Sequence, residues 1–299
     1  MNKGKKMKNI GFIGLGHMGL PMAINLVKAG FTVTGFDLQS MAMEHFTNAG
    51  GIAANTLQQA ARSQDIIITM LQTGQQVKQV CLGGDGLLDA ATKGSLYIDC
   101  STIDIATSRL IHQEANSRQI HSVDAPVSGG VVGAAAGKLT IMVGGTEQAF
   151  LQAKTILTAL GTKIIHTGAA GSGQAAKICN NMILGISMIA VSEAFVLAEH
   201  LNLSPEKLFE VVTNSSGQCW AISNYAPVPG LLDNVPANND YKPGFTAAML
   251  LKDLRLSQES AAKVGISTPL GEKATALYQQ LNDDGMADLD FSAIIKTIT

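Results

Sequence analysis

The positions of the apolar residues divide the chain into two parts with different periodicity. From Lys8 to about His166, short β-rich runs alternate with stretches of helical spacing, a pattern typical of parallel βαβ units. Residues 66–71 are nearly continuous in apolar side chains, as expected of a strand covered on both faces in the middle of a sheet. The pattern predicts strands over residues 9–13, 32–37, 65–71, 95–100, 121–125, 139–143 and 163–166.

After Gly173 the spacing becomes that of long helices. Ser204 and Thr268 each stand directly before a proline, which predicts a helix N-cap followed by the first helical residue. Residues 225–244 hold much of the chain's proline and predict a long irregular segment, either a functional loop or a hinge. We predict an α/β domain over residues 7–167 and an all-α domain over residues 168–299.

Composition excludes several classes of partner. With 46% hydrophobic and 15% charged residues in a length of 299, the chain can bury a sizeable core. Its 21 basic and 23 acidic residues offer no basic surface for nucleic acid or for an anionic membrane. The apolar tract around residues 182–197 is interrupted by Ser187, Ser192 and Glu193, which favours a buried helix over a membrane span. We therefore expect a small-molecule partner, and neither nucleic acid nor a membrane.

The cysteines give no indication of a disulfide framework or a metal site. Cys81, Cys100, Cys179 and Cys219 are far apart, form no C-x-x-C pair and have no histidine at metal-ligand spacing. We interpret them as reduced structural thiols in a reducing compartment and predict no metal. The basic residues 1–6 precede a short strand pattern rather than a signal-peptide core, so the predicted location is cytoplasmic.

A glycine pattern follows the first predicted strand. Residues 14–19 form a G-x-G-x-x-G sequence that leads into a helical run. The first glycine permits a tight turn, the second lets a pyrophosphate approach the backbone, and the third allows close helix–strand packing. A purely structural turn would show the same pattern. In this strand–turn–helix context we predict a Rossmann-type doubly wound domain whose cofactor contacts include Gly14, Leu15, Gly16, His17, Met18 and Gly19.

Asp37 ends the second predicted strand. An acidic side chain at this position accepts hydrogen bonds from the adenine ribose hydroxyls and repels the 2′-phosphate of NADP. Leu38 and Gln39 follow, so no arginine or lysine stands beside Asp37 to neutralise that phosphate. The sequence therefore predicts NAD rather than NADP. The alternative for Asp37 is a turn-forming residue at a strand end.

More candidates stand where further predicted strands end. Ligands of open α/β sheets bind beyond the carboxyl ends of the strands, so Leu71, Gln72 and Thr102 are predicted to border the dinucleotide. Thr102 could bond the nicotinamide ribose. Alternatively, Ser101 and Thr102 cap the helix that begins near Asp104.

Residues 124–130 end a predicted strand and then present small residues with free backbone N–H groups and one hydroxyl. Small residues allow close approach of a ligand, and Ser128, Gly129 and Gly130 would suit a substrate carboxylate. Taken alone, the pattern also fits an ordinary loop.

Residues 168–181 place a glycine-rich turn directly before Lys177, Asn180 and Asn181. On a helix, Lys177 and Asn181 stand one turn apart and share one side with Gly185. The positive end of the helix dipole, an oxidised nicotinamide and burial would all lower the pKa of this lysine from about 10.4 towards a range useful for proton transfer. The alternative is a lysine with its stem packed and its amine in solvent.

Together, residues 14–19, 124–130 and 171–181 resemble the three signatures of the β-hydroxyacid dehydrogenase family, and the resemblance extends from about Lys8 to Ile298. It implies NAD as cofactor and Lys177 as the catalytic residue. It implies that Ser128, Gly129, Gly130 and Asn181 bind the substrate. It also implies that Thr102 and Lys252 contact NAD, and that Trp220 and Tyr225 lie near the substrate's methyl side. Both aromatic residues also fit a core role. Gln72 departs from the resemblance, because many members have proline there.

Within the family, residues 177–181, 214–220 and 224–230 look like those of members that oxidise 3-hydroxyisobutyrate to methylmalonate semialdehyde in valine catabolism. The expected mechanism has neutral Lys177 accepting the hydroxyl proton as hydride passes to NAD. Two alternatives stay open: an NAD(P)H-dependent reductase of another short semialdehyde, tartronate or succinic, and a dinucleotide-binding interaction module without turnover. Small and apolar residues on the long helix, Gly185, Ala190 and Ala194, predict a homo-oligomer, which the resemblance implies to be a dimer or tetramer.

Overall fold

The computed structural model describes residues 8–298. The predicted domain ends at residues 7 and 299, and the basic segment 1–6, lie outside the described residues. The chain divides into two compact units, Met1–Lys177 and Ile178–Thr299, and the division falls within one long helix. The boundary predicted between residues 167 and 168 stays a prediction.

The first unit alternates strands and helices, as predicted. Its strands are β1 Asn9–Ile13, β2 Thr32–Phe36, β3 Ile52–Ala53, β4 Ile66–Thr69, β5 Leu96–Asp99, β6 His121–Asp124, β7 Val127–Ser128, β8 Leu139–Gly145 and β9 Gly161–Gly168. Its helices are α1 Gly19–Lys28, α2 Ser40–Asn48, α3 Leu57–Ala61, α4 Gly74–Leu82, α5 Leu87–Ala90, α6 Ile105–Ser117, α7 Gly130–Ala135 and α8 Glu147–Leu157.

The strands form one sheet in the order β3-β2-β1-β4-β5-β6-β8-β7, with β9 pairing with β8. The pairs from β3 to β6 are parallel, whereas β8 runs antiparallel to β6 and to β7. The chain order reverses between β1 and β4, the position at which a doubly wound sheet opens a crevice for a ligand. The predicted strands are confirmed, while β3 and β7, of two residues each, are too short to show a period in the sequence.

Both faces of this sheet are covered. Along β4, Ile66 and Ile68 belong to one buried apolar cluster and Ile67 to a second, and β5 divides its side chains in the same way. Alternate residues of a strand point to opposite faces, so the two clusters lie on opposite sides of the sheet. This arrangement confirms the predicted central strand and explains its continuous apolar run.

The second unit is helical, as predicted. The chain's remaining helices are α9 Ser172–His200, which begins in the first unit, α10 Pro205–Thr213, α11 Trp220–Tyr225, α12 Ala247–Lys263 and α13 Pro269–Leu281, with short irregular helical turns at Pro236–Asn239, Asn282–Met286 and Phe291–Thr297. Ser204 caps α10 by accepting from Lys207 N, and proline occupies the first turn of both α10 and α13. Both predicted helix starts are therefore confirmed, although Thr268, at the N-cap position of α13, makes no side-chain cap.

Helix α9 is apolar around much of its surface. By length and composition it is the one helix within residues 8–298 that could cross a membrane. A core helix of a soluble protein has the same composition, and Met188, Ile189 and Phe195 of α9 do pack in the core of the second unit. Gly185 is also buried there, with Leu254 against it, so its prediction as part of an uncovered stripe is wrong.

Candidate active site

The predicted dinucleotide motif forms the turn between β1 and α1. Gly14 has a φ of 95° and donates its N–H to the carbonyl oxygen of Phe36 at 3.0 Å, which ties the turn to the end of β2. A Cβ on Gly19 would collide with the carbonyl oxygen of Gly14, so this glycine sets the close packing of helix and strand. The motif thus has the tight turn and the close contact that a pyrophosphate loop requires.

The start of α1 fits an anionic group. Its N-cap residue, Met18, makes no side-chain cap, and its first turn contains no acidic residue. Within residues 8–298, no atom beyond the two chain neighbours lies within 4 Å of the position that a Cβ on Gly16 would take, so the backbone there is open to a ligand. Uncapped N–H groups at the positive end of a helix dipole suit the pyrophosphate of NAD.

Asp37 follows β2 beside this turn. One carboxylate oxygen accepts from Leu15 N at 2.6 Å, and the other accepts from Gln39 N at 2.8 Å. The second bond is that of a turn-forming residue, so the structural alternative for Asp37 describes part of its role. Each oxygen retains a lone pair for a ribose hydroxyl, and that contact stays a prediction.

A buried polar network joins the carboxyl ends of β4 and β5. Asp99 accepts from Thr69 Oγ1 at 2.9 Å and from Ser101 N at 3.1 Å, and Leu71 N donates to Ser101 Oγ at 2.8 Å. Burial raises the pKa of Asp99 to about 6, against the hydrogen bonds from Ser101 and Thr69. The network holds Leu71 and the loop of Thr102 at the predicted edge of the sheet.

The alternative that Ser101 or Thr102 caps a helix is wrong. The N-cap of α6 is Asp104, whose carboxylate accepts from Thr107 N at 2.8 Å. At Gln72, where many family members have proline, the backbone N–H donates to Gln76 Oε1 at 3.0 Å. Proline has no N–H and could not make this bond. At Gln72 a local hydrogen bond therefore holds the loop where proline would restrict the backbone.

Ser128 ends β7, and Gly129 and Gly130 turn the chain into α7. The φ angles of the two glycines are 135° and 61°, which side chains with a Cβ rarely adopt. The turn leaves Ser128 half-buried and Gly129 exposed. Their predicted role as substrate contacts stays a prediction.

The start of α9 is fastened to the sheet by two side chains. Asp124, buried at the end of β6, accepts from Gly171 N at 2.8 Å and from Gln174 N at 2.9 Å. The Gln174 side chain accepts from Ile103 N at 3.0 Å and donates to the Ser101 carbonyl oxygen at 2.8 Å. His112 also reaches Asp124, at 2.9 Å. The end of β6 and the loop that follows β5 therefore determine where this helix begins.

Gly173 brings the helix start against β8. A Cβ on Gly173 would collide with the carbonyl oxygen of Met142 and would lie 2.8 Å from that of Asp124. No side chain fits at this crossing. The close backbone approach fixes the start of α9 one turn before Lys177.

Lys177 is only 8% exposed. This low exposure shows that most of the side chain is packed, and it argues against the alternative of an amine in solvent. A lysine is almost never fully buried without a partner or a function, because burial penalises the ammonium form. The continuous helix α9 puts Asn181 one turn after Lys177, as predicted.

Asn181 lies in a polar group of the second unit. It is 1% exposed, its Nδ2 donates to Asp253 Oδ2 at 2.5 Å, and its Oδ1 accepts from Asn180 Nδ2 at 2.9 Å. Asp253 is also buried, and its Oδ1 lies 2.9 Å from Lys252 Nζ. The carboxylate therefore joins two predicted site residues, the substrate contact Asn181 and the cofactor contact Lys252.

Trp220 and Tyr225 stand at the two ends of α11. Trp220 is 52% exposed, so its alternative role as a core aromatic is wrong. Its ring stacks on that of Tyr225 with centroids 5.2 Å apart. Tyr225 is half-buried and packs against the core of the second unit, so the core role given as its alternative is correct in part.

Sequence reasoning missed the connecting acidic and amide groups, Asp124, Gln174 and Asp253. Asp124 and Gln174 stand inside segments that the sequence singled out, and Asp253 directly follows Lys252, but each of the three has a partner far along the chain. The cysteines are free within the described residues, and burial raises the pKa of the Cys81 and Cys100 thiols. Cys179 is exposed, so its interpretation as a structural thiol is wrong. No group of three or more potential metal ligands occurs within residues 8–298.

A doubly wound sheet with an uncapped glycine turn at its first helix, followed by a helical unit, is the architecture of an NAD-dependent dehydrogenase. Residues 9–168 match the family described as the NAD-binding domain of 6-phosphogluconate dehydrogenase. Residues 171–298 match the family described as NAD-binding of NADP-dependent 3-hydroxyisobutyrate dehydrogenase. The chain belongs to the β-hydroxyacid dehydrogenase family, and its activity is that of an NAD-dependent hydroxyacid dehydrogenase.

Several relatives are similar over nearly the whole chain. A probable 3-hydroxyisobutyrate dehydrogenase of Mycobacterium bovis is 47% identical over 98% of both chains. An NAD-dependent L-serine dehydrogenase of Pseudomonas aeruginosa is 45% identical over 97% of both. The solved structure of a Mycobacterium tuberculosis 3-hydroxyisobutyrate dehydrogenase with L-serine aligns with a TM-score of 0.92 at 47% identity, covering 97% of this chain and 99% of that one.

Proposed function

We propose that the chain oxidises 3-hydroxyisobutyrate to methylmalonate semialdehyde, with Lys177 as the general acid/base. The observation that carries the proposal is the burial of Lys177 at the start of α9, followed one turn later by the buried Asn181. The 47% identical relatives described as 3-hydroxyisobutyrate dehydrogenases support this substrate. In this role the reaction belongs to valine catabolism.

The mechanism assigns a separate task to each group. NAD, when bound, supplies the hydride acceptor. Lys177 in its neutral form accepts the proton of the primary hydroxyl as the adjacent C–H bond gives up its hydride, so the alcohol becomes an aldehyde. For the reverse reduction, Lys177 returns the proton to the forming hydroxyl.

The remaining site residues bind and orient. Ser128 Oγ and the N–H groups of Gly129 and Gly130 hold the substrate carboxylate, and Asn181 orients the hydroxyl. On the cofactor side, Thr102 and Lys252 contact NAD, as do Leu71, Gln72 and the glycine turn. Asp253 holds both Asn181 and Lys252, so one buried carboxylate supports a substrate contact and a cofactor contact together.

Replacing Lys177 separates proton transfer from binding. We expect Lys177→Ala to lower kcat by about 10²–10⁴-fold, the usual contribution of a positioned proton-transfer group, with NAD affinity little changed. Lys177→Arg should not restore turnover, because arginine cannot lose its proton in this pH range. The wild-type oxidation rate should increase with pH on a limb that both variants lack. Near-normal kcat in Lys177→Arg would make the lysine a positive anchor only.

A panel of substrates tests the choice of hydroxyacid. The proposal expects the largest kcat/KM with 3-hydroxyisobutyrate among 3-hydroxyisobutyrate, L-serine, 3-hydroxypropionate and β-hydroxybutyrate. L-serine is the informative competitor, because a 45% identical relative is described as an L-serine dehydrogenase. A higher kcat/KM with L-serine would reassign the substrate and leave the role of Lys177 intact.

We also infer a homo-oligomer in the cytoplasm, a dimer or tetramer. Ile183, Ala190, Ala194 and Leu197 lie at helical spacing along α9 and are exposed. Such a stripe on a single face suits a second copy of the same chain.

A further inference from the structure

Three aromatic rings of the second unit form a continuous stack. Trp220 stacks on Tyr225 with an interplanar angle of 23°, and Tyr225 stacks on Phe291 at 5.2 Å and 19°. Phe245 meets Phe291 edge-on at 5.8 Å. The inner rings belong to the core of the unit, while Trp220 is half exposed at the outer end. The position of Trp220 therefore depends on how firmly Tyr225 is held.

Asp290 is the group that holds Tyr225. It is fully buried, and its Oδ2 accepts from Tyr225 Oη at 3.0 Å, Gly244 N at 3.0 Å and Phe245 N at 3.1 Å. Its Oδ1 accepts from the backbone N–H of Ser292 at 3.0 Å and from the Ser292 hydroxyl at 2.7 Å. A carboxylate offers about four lone-pair sites, so these donors use its whole capacity.

The hydroxyl of Tyr225 is the donor in this contact. Burial, followed by the charge of Asp290 and the hydrogen bond to it, raises the pKa of Tyr225, so the phenol stays protonated. A Cβ on Gly244 would lie 2.9 Å from Tyr225 Oη, so a glycine is needed for the hydroxyl to reach the carboxylate. The proton of Tyr225 is committed to Asp290 and is not available to a ligand.

We propose that Asp290 is a positioning residue that fixes the Trp220–Tyr225 ring pair as an apolar wall for the substrate. The inference rests on the proposed function and on the position near the methyl side of the substrate that the family resemblance implies for this pair. Because the phenol proton points to Asp290, the pair presents rings rather than a hydrogen-bond donor, and rings suit an apolar substituent. A buried carboxylate in the C-terminal segment thus acts on the substrate side through one tyrosine.

The single tryptophan of the chain makes the stack directly observable. Emission from Trp220, and its quenching by acrylamide, would be measured without NAD or substrate in wild type, Tyr225→Phe, Asp290→Asn and Gly244→Ala. Tyr225→Phe removes the hydroxyl donor, and Gly244→Ala places a Cβ against that hydroxyl. In Asp290→Asn, the amide NH2 faces a hydrogen-bond donor in either orientation of the side chain. We expect all three variants to shift the emission and increase quenching. Tyr241→Phe is the matched control, because Tyr241 Oη donates to the Pro227 carbonyl oxygen at 2.8 Å, outside the stack, and should leave Trp220 unchanged.

Kinetics then test the connection to the substrate. Loss of one hydrogen bond to a charged group corresponds to about a tenfold change, which we expect in KM for 3-hydroxyisobutyrate, with kcat within about twofold. If Asp290 acts through Tyr225, the double variant Tyr225→Phe/Asp290→Asn should raise KM no further than the larger single effect. An additive double variant would overturn the proposal, as would unchanged Trp220 emission in Tyr225→Phe.

The test does not depend on any single variant. If Asp290→Asn does not fold, Tyr225→Phe and Gly244→Ala still move the same hydroxyl and carry the test. A shifted emission with unchanged KM would overturn the inference by showing that the stack does not bind substrate. The emission of the ligand-free chain does not depend on Lys177, so failure of the proposed catalytic role would be seen separately, as turnover in Lys177→Arg.

Discussion

Asp124→Ala removes the carboxylate that fastens the start of α9, and its cost can be worked from the contacts. Asp124 is buried and accepts from Gly171 N, Gln174 N and His112 Nε2, at 2.8, 2.9 and 2.9 Å. A hydrogen bond to a charged group contributes about 1.5–3 kcal/mol, and a buried donor left without a partner costs about 1–3 kcal/mol. Gly171 and Gln174 are both buried, so water cannot replace the lost acceptor fully.

We expect Asp124→Ala to lower the free energy of unfolding by about 3–5 kcal/mol. The variant should also lower kcat, since displacement of a catalytic group by about 1 Å costs up to ~10²-fold. Urea unfolding followed by far-UV circular dichroism near neutral pH measures the first effect, and steady-state oxidation measures the second.

Asp104→Ala is the matched control. Asp104 also accepts a backbone N–H at a helix start, but it is half-buried, and Thr107 N is its one hydrogen-bond donor within the described part of the chain. An ordinary N-cap of this kind contributes about 1 kcal/mol. If Asp124→Ala lost no more stability than Asp104→Ala and kept its kcat, the interpretation of Asp124 as the fastening of α9 would be refuted.

Three other results are expected. Asp37→Ser with Leu38→Arg should move cofactor preference towards NADP, measured as the ratio of kcat/KM values, and equal or better use of NADP by wild type would contradict the role of Asp37. Because the folded-state pKa of Asp99, about 6, lies above its usual 3.8, the free energy of unfolding should decrease as pH rises from about 4 to about 6. Asp99→Asn keeps an oxygen for Thr69 and Ser101, so it should remove this pH dependence. Urea titrations at neutral pH should show the variant to be about 2–3 kcal/mol more stable than wild type. Light scattering at micromolar concentration should show a multiple of the 31.2 kDa chain, and a monomer alone would exclude the proposed assembly.

Local patterns were sufficient for the elements that depend on local physics. The longer strands of the first unit follow from apolar runs. The start of α10 follows from a serine cap before a proline, and that of α13 from the proline. The two-residue strands β3 and β7 could not be predicted, because pairing with a neighbour, and not their own composition, makes them strands.

The residues of the candidate site also divide into those that local sequence patterns predicted and those that they could not. Lys177 and Asn181 were evident because their spacing on one helix is a local property. Asp124 and Asp253 were not, since each is defined by partners distant along the chain, such as Gly171 for Asp124 and Asn181 for Asp253. Trp220 illustrates the limit for aromatic residues, because composition alone left a core position open and only the fold shows the ring half exposed.

The crossing of Gly173 over β8 affects how the signature should be used to infer activity across the family. Because a Cβ there would meet the carbonyl oxygens of Met142 and Asp124, the glycine would be retained in any homologue that preserves the crossing, including one that has lost turnover. Lys177 and Asn181 have no such architectural constraint from that contact. When genomes are searched for active members, a conserved glycine turn is therefore evidence of shape, and the lysine and asparagine that follow it are the informative positions for chemistry.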